Sequence, residues 1–327
     1  MDLAGILDAA SLGALPATIE IRFDPLWLSQ GPLQVLLSWQ GITAAAAVLA
    51  ALLVAAMAVA RYRPIRASDV PGDAPSLRLD DLLFIAVAIV PGAVIGGRIV
   101  YGLDYADVYG ADVTALLDPA RGSLSLLGAV VGGALSGAYI ARILSGGRPD
   151  WRRWLEVAAP LTLFLIAGAK FSQFMGGGGQ GLPWSAQQAV AFLGPGPWQS
   201  IAPALPSVPS QLIEAIWVAS GVLVLAFLAR RARFGAVFLW ALAWWLGGRI
   251  VIAFTWRDQA LIGPLAVEQV LAIAVLVVVV LLLALGRVRP GPADVSADAG
   301  LAWPERPIDP TELPAASTTD RADMPKD

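Results

Sequence analysis

Long apolar segments alternate with short polar ones along most of this 327-residue chain. Seven of the apolar segments are about 20 residues long and carry little charge, which is the length that an α-helix needs to cross a bilayer. Their predicted ranges are 33–60, 79–103, 124–144, 155–175, 211–229, 234–254 and 265–285. The pattern therefore predicts an all-α, polytopic membrane protein with seven transmembrane helices.

The predicted spans divide the chain into three regions. We expect residues 1–32 to lie on the outer face of the membrane and residues 33–286 to form a seven-span membrane domain. Residues 287–327 are rich in Pro, Asp, Ala and Thr, a composition that cannot bury a core. That last region is expected to be a disordered cytoplasmic tail.

Two of the predicted outward loops are unusual. The loop at 104–122 is acidic, whereas the loop at 176–209 has no charged residue and holds Trp184 and Trp198. Because tryptophan favours the boundary between lipid and water, we expect the second loop to rest at the level of the lipid headgroups and to cap a cavity.

Arginines are concentrated in alternate loops, and this sets the expected orientation. Basic residues mark cytoplasmic loops, and here they follow the first, third, fifth and seventh spans. They are Arg61, Arg63, Arg66, Arg78, Arg142, Arg148, Arg152, Arg153, Arg230, Arg231, Arg233, Arg287 and Arg289. The distribution predicts an external N-terminus and a cytoplasmic C-terminus.

The composition supports a membrane protein and restricts its chemistry. Hydrophobic residues make up 57% of the chain and charged residues 14%, with a mean hydropathy of +0.69. The chain has no cysteine, which excludes disulfides and thiolate metal ligands, and no histidine, which removes the commonest general base. We expect no metal, no other cofactor and no nucleic-acid partner.

Three basic residues, Arg98, Lys170 and Arg249, lie within long apolar sequence. A charged side chain at the centre of a membrane helix costs about 2.5–3.5 kcal/mol on insertion scales, so such residues usually face the protein interior and serve function. Few acidic residues lie at similar depth. The pattern indicates an anion held within the membrane, and a phospholipid phosphate is the obvious candidate.

Short strings around these cations match the motifs of one enzyme family in order and spacing. They are Phe23-Asp24-Pro25, Trp39-Gln40-Gly41, Gly96-Gly97-Arg98, Ser125-Leu126-Leu127-Gly128, Gly168-Ala169-Lys170, Pro209-Ser210-Gln211-Leu212-Ile213-Glu214 and Gly248-Arg249-Ile250. Together with the span count, they resemble the prolipoprotein diacylglyceryl transferases of bacterial lipoprotein maturation. The resemblance covers roughly residues 20–286.

Members of that family move the diacylglyceryl group of phosphatidylglycerol to the lipobox cysteine of a prolipoprotein and release glycerol phosphate. The resemblance implies this activity, the bacterial cytoplasmic (inner) membrane as location, and phosphatidylglycerol and a prolipoprotein signal peptide as partners. The leaving group is a phosphate ester, so cations must stabilise its growing charge, and the incoming thiol must become a thiolate.

The cationic half of the family's site is kept. By resemblance, Arg249 matches the phosphate-binding arginine, and Lys170 stands where the family has arginine, which keeps the charge but loses the planar fork. Arg98, Gln173 and Gly181 complete the predicted phospholipid site.

Glu214 keeps the family's motif and has two interpretations. It is either the ion-pair partner of one of the cations or the group that takes the thiol proton, and on the second interpretation it is the catalytic residue. Arg98 is likewise either a structural cation that binds glycine-rich backbone or a lipid contact. We expect Glu268 and Gln269, near the start of the seventh span, to lie at the membrane interface.

The reactive half of the family pattern is replaced. The family has histidine, two tyrosines, asparagine, an acid and glutamate at six positions that carry other residues here. These positions are Leu127, Gln40, Trp245, Gln173, Gly178 and Ala253.

Three classes of function therefore remain open from the sequence. One is an active transferase whose cations suffice to ionise the thiol, and another is a catalytically lapsed relative that binds anionic phospholipid or acts as a membrane scaffold. The third is an unrelated seven-span transporter or retinal protein. A retinal protein is disfavoured because its lysine is expected in the last span, whereas Lys170 lies in the fourth.

Overall fold

The computed structural model describes residues 18–28, 37–60, 79–110, 114–115, 118, 123–145, 151–228 and 236–288. Its helices are α1 Trp39–Ala60, α2 Leu79–Asp104, α3 Ala106–Tyr109, α4 Leu126–Leu144, α5 Arg152–Met175, α6 Ser210–Leu228, α7 Val237–Ile252 and α8 Val267–Val288. Its strands are β1 Ile19–Ile21, β2 Val190–Phe192, β3 Ala260–Ile262 and β4 Leu265–Ala266. Strands β1 and β2 pair in parallel, and β3 and β4 form an antiparallel hairpin.

Seven of these helices, all but the short α3, are long and apolar enough to cross a membrane. The prediction of a mostly helical, multi-pass membrane protein is therefore confirmed. The orientation of the termini stays a prediction, because most of the arginines that support it fall outside the described residues. The expected tail lies outside them from residue 289 onward, and so does most of the expected N-terminal segment.

Several helix boundaries differ from the prediction, and two of the differences have local reasons. The last span was expected to begin at 265, but Leu265–Ala266 pairs with β3, so α8 begins at Val267. Helix α7 ends at Ile252, and the chain continues in a 3₁₀ turn, Ala253–Thr255. Apolar sequence alone does not distinguish these short elements from the helix beside them.

Helices α2 and α4 pack closely along a line of glycines. A Cβ atom at Gly128 would lie 2.1 Å from the carbonyl oxygen of Gly96, and one at Gly132 would lie 2.1 Å from the carbonyl oxygen of Gly92. These contacts leave no room for a side chain, so the backbones themselves touch. Such small-residue contacts are the usual way for helices to associate in lipid.

The core of the bundle lies between α4, α5, α6, α7 and α8. Its buried residues include Leu127, Ala159, Leu163, Val218, Ala241, Trp245, Leu246 and Ala272. The outward faces of the same helices carry exposed leucine, valine and phenylalanine, as a surface in contact with lipid requires. The core therefore holds α5, α6, α7 and α8 in fixed positions, and these four helices carry the buried charges.

One end of the bundle, which we call the loop end, gathers the start of α1, the end of α5, the start of α6 and the end of α7. Ser172 Oγ donates to the carbonyl of Gln40 at 2.7 Å, and Ser210 Oγ lies 2.7 Å from Thr255 Oγ1. The segment 176–209 covers this end. It is tied to the chain before α1 by the pairing of β1 with β2.

Candidate functional site

Four charged side chains meet inside the bundle near its loop end. Lys170 comes from the penultimate turn of α5, Glu214 from the second turn of α6, Arg249 from the last turn of α7 and Glu268 from the first turn of α8. All four are buried, and Glu214 has no exposed surface. Each helix thus contributes one charge to a single cluster.

Glu214 lies at the centre of this cluster. Lys170 Nζ is 2.9 Å from its Oε2, and Arg249 Nη1 donates to its Oε1 at 2.8 Å. Trp245 Nε1 also donates to Oε1, at 3.3 Å. Three donors from two other helices therefore hold this carboxylate, which fixes its position and orients both cations.

The second carboxylate, Glu268, binds the other side of Arg249. Arg249 Nη2 donates to Glu268 Oε2, and Ser125 Oγ donates to Glu268 Oε1 at 2.5 Å. Ser125 is also the N-cap of α4 and accepts from the backbone N–H of Gly128. Through Glu268, the charge cluster is joined to the start of α4.

The charges within the cluster balance. Two cations, Lys170 and Arg249, face two carboxylates, Glu214 and Glu268. The sequence indicated buried cations with few acids nearby, and the structure corrects this, because the cations already have counter-ions. The balance explains how the group is buried, since an unpaired charge in this position is very costly.

Tryptophan rings enclose the cations. Trp256 lies 5.1 Å from Lys170 Nζ and 4.5 Å from Arg249 Cζ, measured to the ring centroid. Trp245 lies 5.7 Å from Arg249 Cζ. Aromatic faces attract cations at these distances and exclude water from them. The site is therefore largely screened from solvent, which strengthens the electrostatic interactions in it.

Gln211 lies one helical turn from Glu214 on the same buried face of α6. Its side chain is 2% exposed, and neither its amide nitrogen nor its amide oxygen has a hydrogen-bond partner among the described residues. A buried amide without partners costs stability. The position is therefore one where a polar group from a ligand is expected to bind.

A cavity of about 220 Å³ lies at the loop end, between the start of α1 and the segment 176–209. Ser38, Gln40, Gly176, Trp198 and Gln199 are among its lining residues. This agrees with the prediction that the uncharged loop caps a cavity.

The comparisons with known proteins agree with the motifs. The sequence model of prolipoprotein diacylglyceryl transferase matches residues 25–285. The chain belongs to this family. It is 23% identical over 267 residues to the phosphatidylglycerol–prolipoprotein diacylglyceryl transferase of Bacillus mycoides, covering 81% of this chain and 90% of the relative. The relative of the same name in Listeria innocua is 25% identical over 285 residues, covering 82% and 92%. The one in Acaryochloris marina is 24% identical over 251 residues, covering 73% and 82%.

The structure brings together four of the residues predicted for the site of this prolipoprotein diacylglyceryl transferase relative. Lys170 and Arg249 share Glu214, and Gln173 joins them, since Lys170 Nζ lies 3.4 Å from Gln173 Oε1. Arg98 is directed toward the loop after α2, where its Nη2 donates to the carbonyl of Asp118 at 3.2 Å.

Gly181 has a structural reason to be glycine. A Cβ atom there would lie 2.2 Å from Ser210 Oγ and 2.4 Å from the carbonyl oxygen of Thr255. Its own carbonyl accepts from Arg257 Nε at 2.7 Å. The residue thus lets the covering segment lie against the start of α6 and the end of α7, next to the charge cluster.

The residues predicted to stand in place of the family's reactive groups have other contacts in the structure. Leu127 is 1% exposed and belongs to the apolar core, and Trp245 donates to Glu214. Gln40 lines the cavity, and Gly178 lies beside the Gln173 side chain. Position 253 is an alanine and has no carboxylate. The carboxylate that binds Arg249 Nη2 comes from Glu268 of α8.

Glu268 and Gln269 were expected at the membrane interface, but the structure buries both. Gln269 Nε2 donates to the carbonyl of Ile250, and Gln269 Oε1 accepts from the N–H of Ala266, which fixes the start of α8 against the end of α7. In the sequence, the β3–β4 hairpin lies between Arg249 and the two residues Glu268 and Gln269. Only the fold of that hairpin reveals which acid reaches the arginine.

Proposed function

We propose that this protein binds phosphatidylglycerol through Lys170 and Arg249 and moves its diacylglyceryl group to the lipobox cysteine of a prolipoprotein, in the bacterial inner membrane. The observation that carries the proposal is the meeting of these two cations at one carboxylate, 2.9 and 2.8 Å away, in a chain of this family. The substrates are those in the names of the relatives, the phosphatidylglycerol–prolipoprotein diacylglyceryl transferases.

The spacing of the cations suits a phosphate group. Lys170 and Arg249 lie close enough to share the oxygens of one carboxylate, so they can also share the oxygens of one phosphate. Charge-assisted hydrogen bonds to phosphate are among the strongest in proteins. In a site screened from solvent they stabilise the charge that grows on the leaving glycerol phosphate.

Phosphate binding requires an exchange of partners within the cluster. The cations are neutralised by Glu214 and Glu268 before any lipid arrives, so the phosphate must displace at least one carboxylate. The best-supported role of Glu214 is that of the counter-ion, because three donors hold it and it has no exposed surface. It keeps the cations buried and ordered when the site is free of lipid.

The thiol must be ionised without histidine. Nearby cations stabilise a thiolate and lower a cysteine pKa to about 3.5–7.5 in known proteins. Lys170 and Arg249 are the buried cations that provide this field. Loss of the family's usual base is expected to slow the transfer by about 10²–10⁴-fold, so we expect a slow enzyme.

A second candidate function is phospholipid binding without transfer. It is favoured by the balanced charges of the cluster together with the core position of Leu127, where the family has histidine. On this alternative the protein is a lipid-binding relative or a membrane scaffold. The two candidates share the lipid site and differ only in whether the lipid reacts.

One experiment tests both candidates. The protein is purified, reconstituted in vesicles with or without phosphatidylglycerol, and incubated for hours with a lipobox peptide and a serine-substituted control peptide. A gain of one diacylglyceryl mass on the cysteine peptide alone, dependent on phosphatidylglycerol, is the expected result. If phosphatidylglycerol co-purifies with the protein but the peptide mass stays constant, the binding alternative is correct and transfer is rejected.

The cationic site is tested with matched variants. Arg249→Ala and Lys170→Ala are expected to abolish both lipid retention and transfer. Arg142→Ala removes an exposed arginine at the far end of α4 and is expected to leave both unchanged. Wild-type rates in Arg249→Ala contradict the phosphate role.

A further inference from the structure

The two carboxylates of the cluster are held differently. Glu214 has three donors, Lys170, Arg249 and Trp245, and no exposed surface. In the part of the chain that the structure describes, Glu268 has two side-chain donors, Arg249 and the hydroxyl of Ser125, and so meets a single cation. Any ligand that engages Arg249 therefore changes Glu268 more than Glu214.

Their positions also differ. Glu268 lies in the first turn of α8, directly after the β3–β4 hairpin, and retains 8% exposure. Glu214 lies in the second turn of α6 behind Gln211 and Ser210. A group that enters from the loop end meets Glu268 at a helix end, whereas the helix and its own donors enclose Glu214.

Phosphate binding releases Glu268. When the phosphate takes the guanidinium of Arg249, Glu268 loses the one cation that it meets among the described residues and keeps the hydroxyl of Ser125. The Glu268 oxygen that accepted from Arg249 is then free to accept from another donor. Ser125 stays fixed as the N-cap of α4, so it continues to hold the carboxylate in place.

We propose that Glu268 is the general base of the transfer, a role for which this chain has no histidine. The inference rests on the proposed function. The lipobox thiol gives its proton to a Glu268 oxygen while its sulfur bonds to the diacylglyceryl carbon. The carbon–oxygen bond to the phosphate breaks, and the electron pair leaves with the phosphate oxygen as glycerol phosphate. Glu268 then returns its proton to water.

The test compares peptides that differ in the need for a base. A lipobox peptide with cysteine is set against the same peptide with selenocysteine, whose selenol is ionised at neutral pH without help. Full-length protein in phosphatidylglycerol vesicles is assayed as Glu268→Gln, with Asp107→Asn as control because Asp107 is an exposed acid in α3. Retention of phosphatidylglycerol is measured for every sample.

Glu268→Gln is expected to slow transfer to the cysteine peptide by at least about 100-fold. It is expected to leave transfer to the selenocysteine peptide within about threefold of the unaltered protein, and lipid retention undiminished. Glutamine can still accept from Arg249 with its amide oxygen and donate to Ser125 Oγ with its amide N–H, so a merely structural role for Glu268 predicts equal losses for both peptides. Asp107→Asn is expected to match the unaltered protein throughout.

The outcomes separate this inference from the proposed function. Equal rates for Glu268→Gln and the unaltered protein on the cysteine peptide overturn the base assignment alone, and so does an equal loss on both peptides. If the unaltered protein transfers to neither peptide, the proposed function fails and the base assignment fails with it.

Discussion

Trp217 of α6 and Trp244 of α7 stack face to face, with ring centroids 4.4 Å apart and planes 2° from parallel. Each indole N–H donates to the backbone carbonyl of the other residue at 3.0 Å. Both residues lie within about two turns of the charged side chains on their helices, Glu214 and Arg249. The stacked pair therefore sets the distance and the register between the helices that carry the central ion pair.

The two glycines before Arg249 give a matched test of this contact. A Cβ atom at Gly248 would lie 1.9 Å from Trp217 Nε1, whereas one at Gly247 would have no neighbour within 4 Å. Gly248→Ala is expected to destabilise the protein by about 1–3 kcal/mol, because overpacking forces a rigid ring to move. Gly247→Ala is expected to stabilise it by about 0.5–1 kcal/mol, since alanine favours the helix. Thermal unfolding in detergent measures both, and equal effects contradict the packing argument.

Lys170 and Arg249 are expected to respond in opposite ways to exchange of lysine and arginine. Lys170 meets Glu214 with one nitrogen, so Lys170→Arg adds a fork that can bind a phosphate with two hydrogen bonds. Arg249 uses separate nitrogens for Glu214 and Glu268, which a lysine cannot do. We expect Lys170→Arg to keep or raise both phosphatidylglycerol retention and the transfer rate, and Arg249→Lys to lower both. Bound lipid per protein, measured by mass spectrometry, is the first readout, and a loss in Lys170→Arg goes against the phosphate role of that residue.

The spans could be predicted from the sequence because each one requires a long charge-free segment, and every such segment became a helix. Convergence of Lys170 and Arg249 was also predictable, since buried cations seek a shared partner. The positions of residues that follow a turn of the chain could not be predicted. Glu268 is brought to Arg249 by the β3–β4 hairpin, and no periodicity in the sequence sets that register.

The positions predicted to differ from the family show the same limit of prediction from one sequence. From the sequence, Leu127 and Trp245 are predicted to differ from the residues of the family, and the difference in residue type alone suggests a loss of function. The structure shows that Trp245 gains a bond to Glu214 and that Leu127 fills the core. Such mutual adjustment depends on contacts between helices, which a single sequence does not record.

Gln211 is expected to lower the stability of the protein and to contribute to ligand binding. Both polar atoms of its amide are buried without partners among the described residues, and such a group costs about 1–3 kcal/mol. Gln211→Leu removes this cost at similar size, so we expect a higher unfolding temperature together with weaker phosphatidylglycerol retention. Gln259→Leu, at an exposed glutamine before β3, is the control and is expected to change neither. A variant that gains no stability, or that retains lipid as before, shows that Gln211 has no polar ligand.

Removing the central carboxylate is expected to be the most damaging change in the cluster. Glu214→Ala leaves Lys170 and Arg249 buried with one counter-ion, Glu268, between them, and breaking a buried ion pair in this way costs about 3–5 kcal/mol. Lys170→Met combined with Glu214→Gln removes one charge of each sign, so it is expected to restore much of that loss. Thermal unfolding of the two variants beside the unaltered protein gives the comparison. Equal unfolding temperatures for Glu214→Ala and the unaltered protein contradict the counter-ion role.

Restoring histidine at position 127 is not expected to restore the family's chemistry. Leu127 packs in the core of the bundle at 1% exposure, so Leu127→His buries a polar ring among apolar side chains at a cost of about 1–3 kcal/mol. Leu124→His, at an exposed leucine just before α4, carries the same substitution without that burial and is expected to be neutral. Transfer to the lipobox peptide, measured alongside thermal unfolding, is expected to stay at or below the unaltered rate in both variants. A faster Leu127→His enzyme shows instead that position 127 still opens onto the reacting groups, and that the missing base, not the core around it, limits the rate.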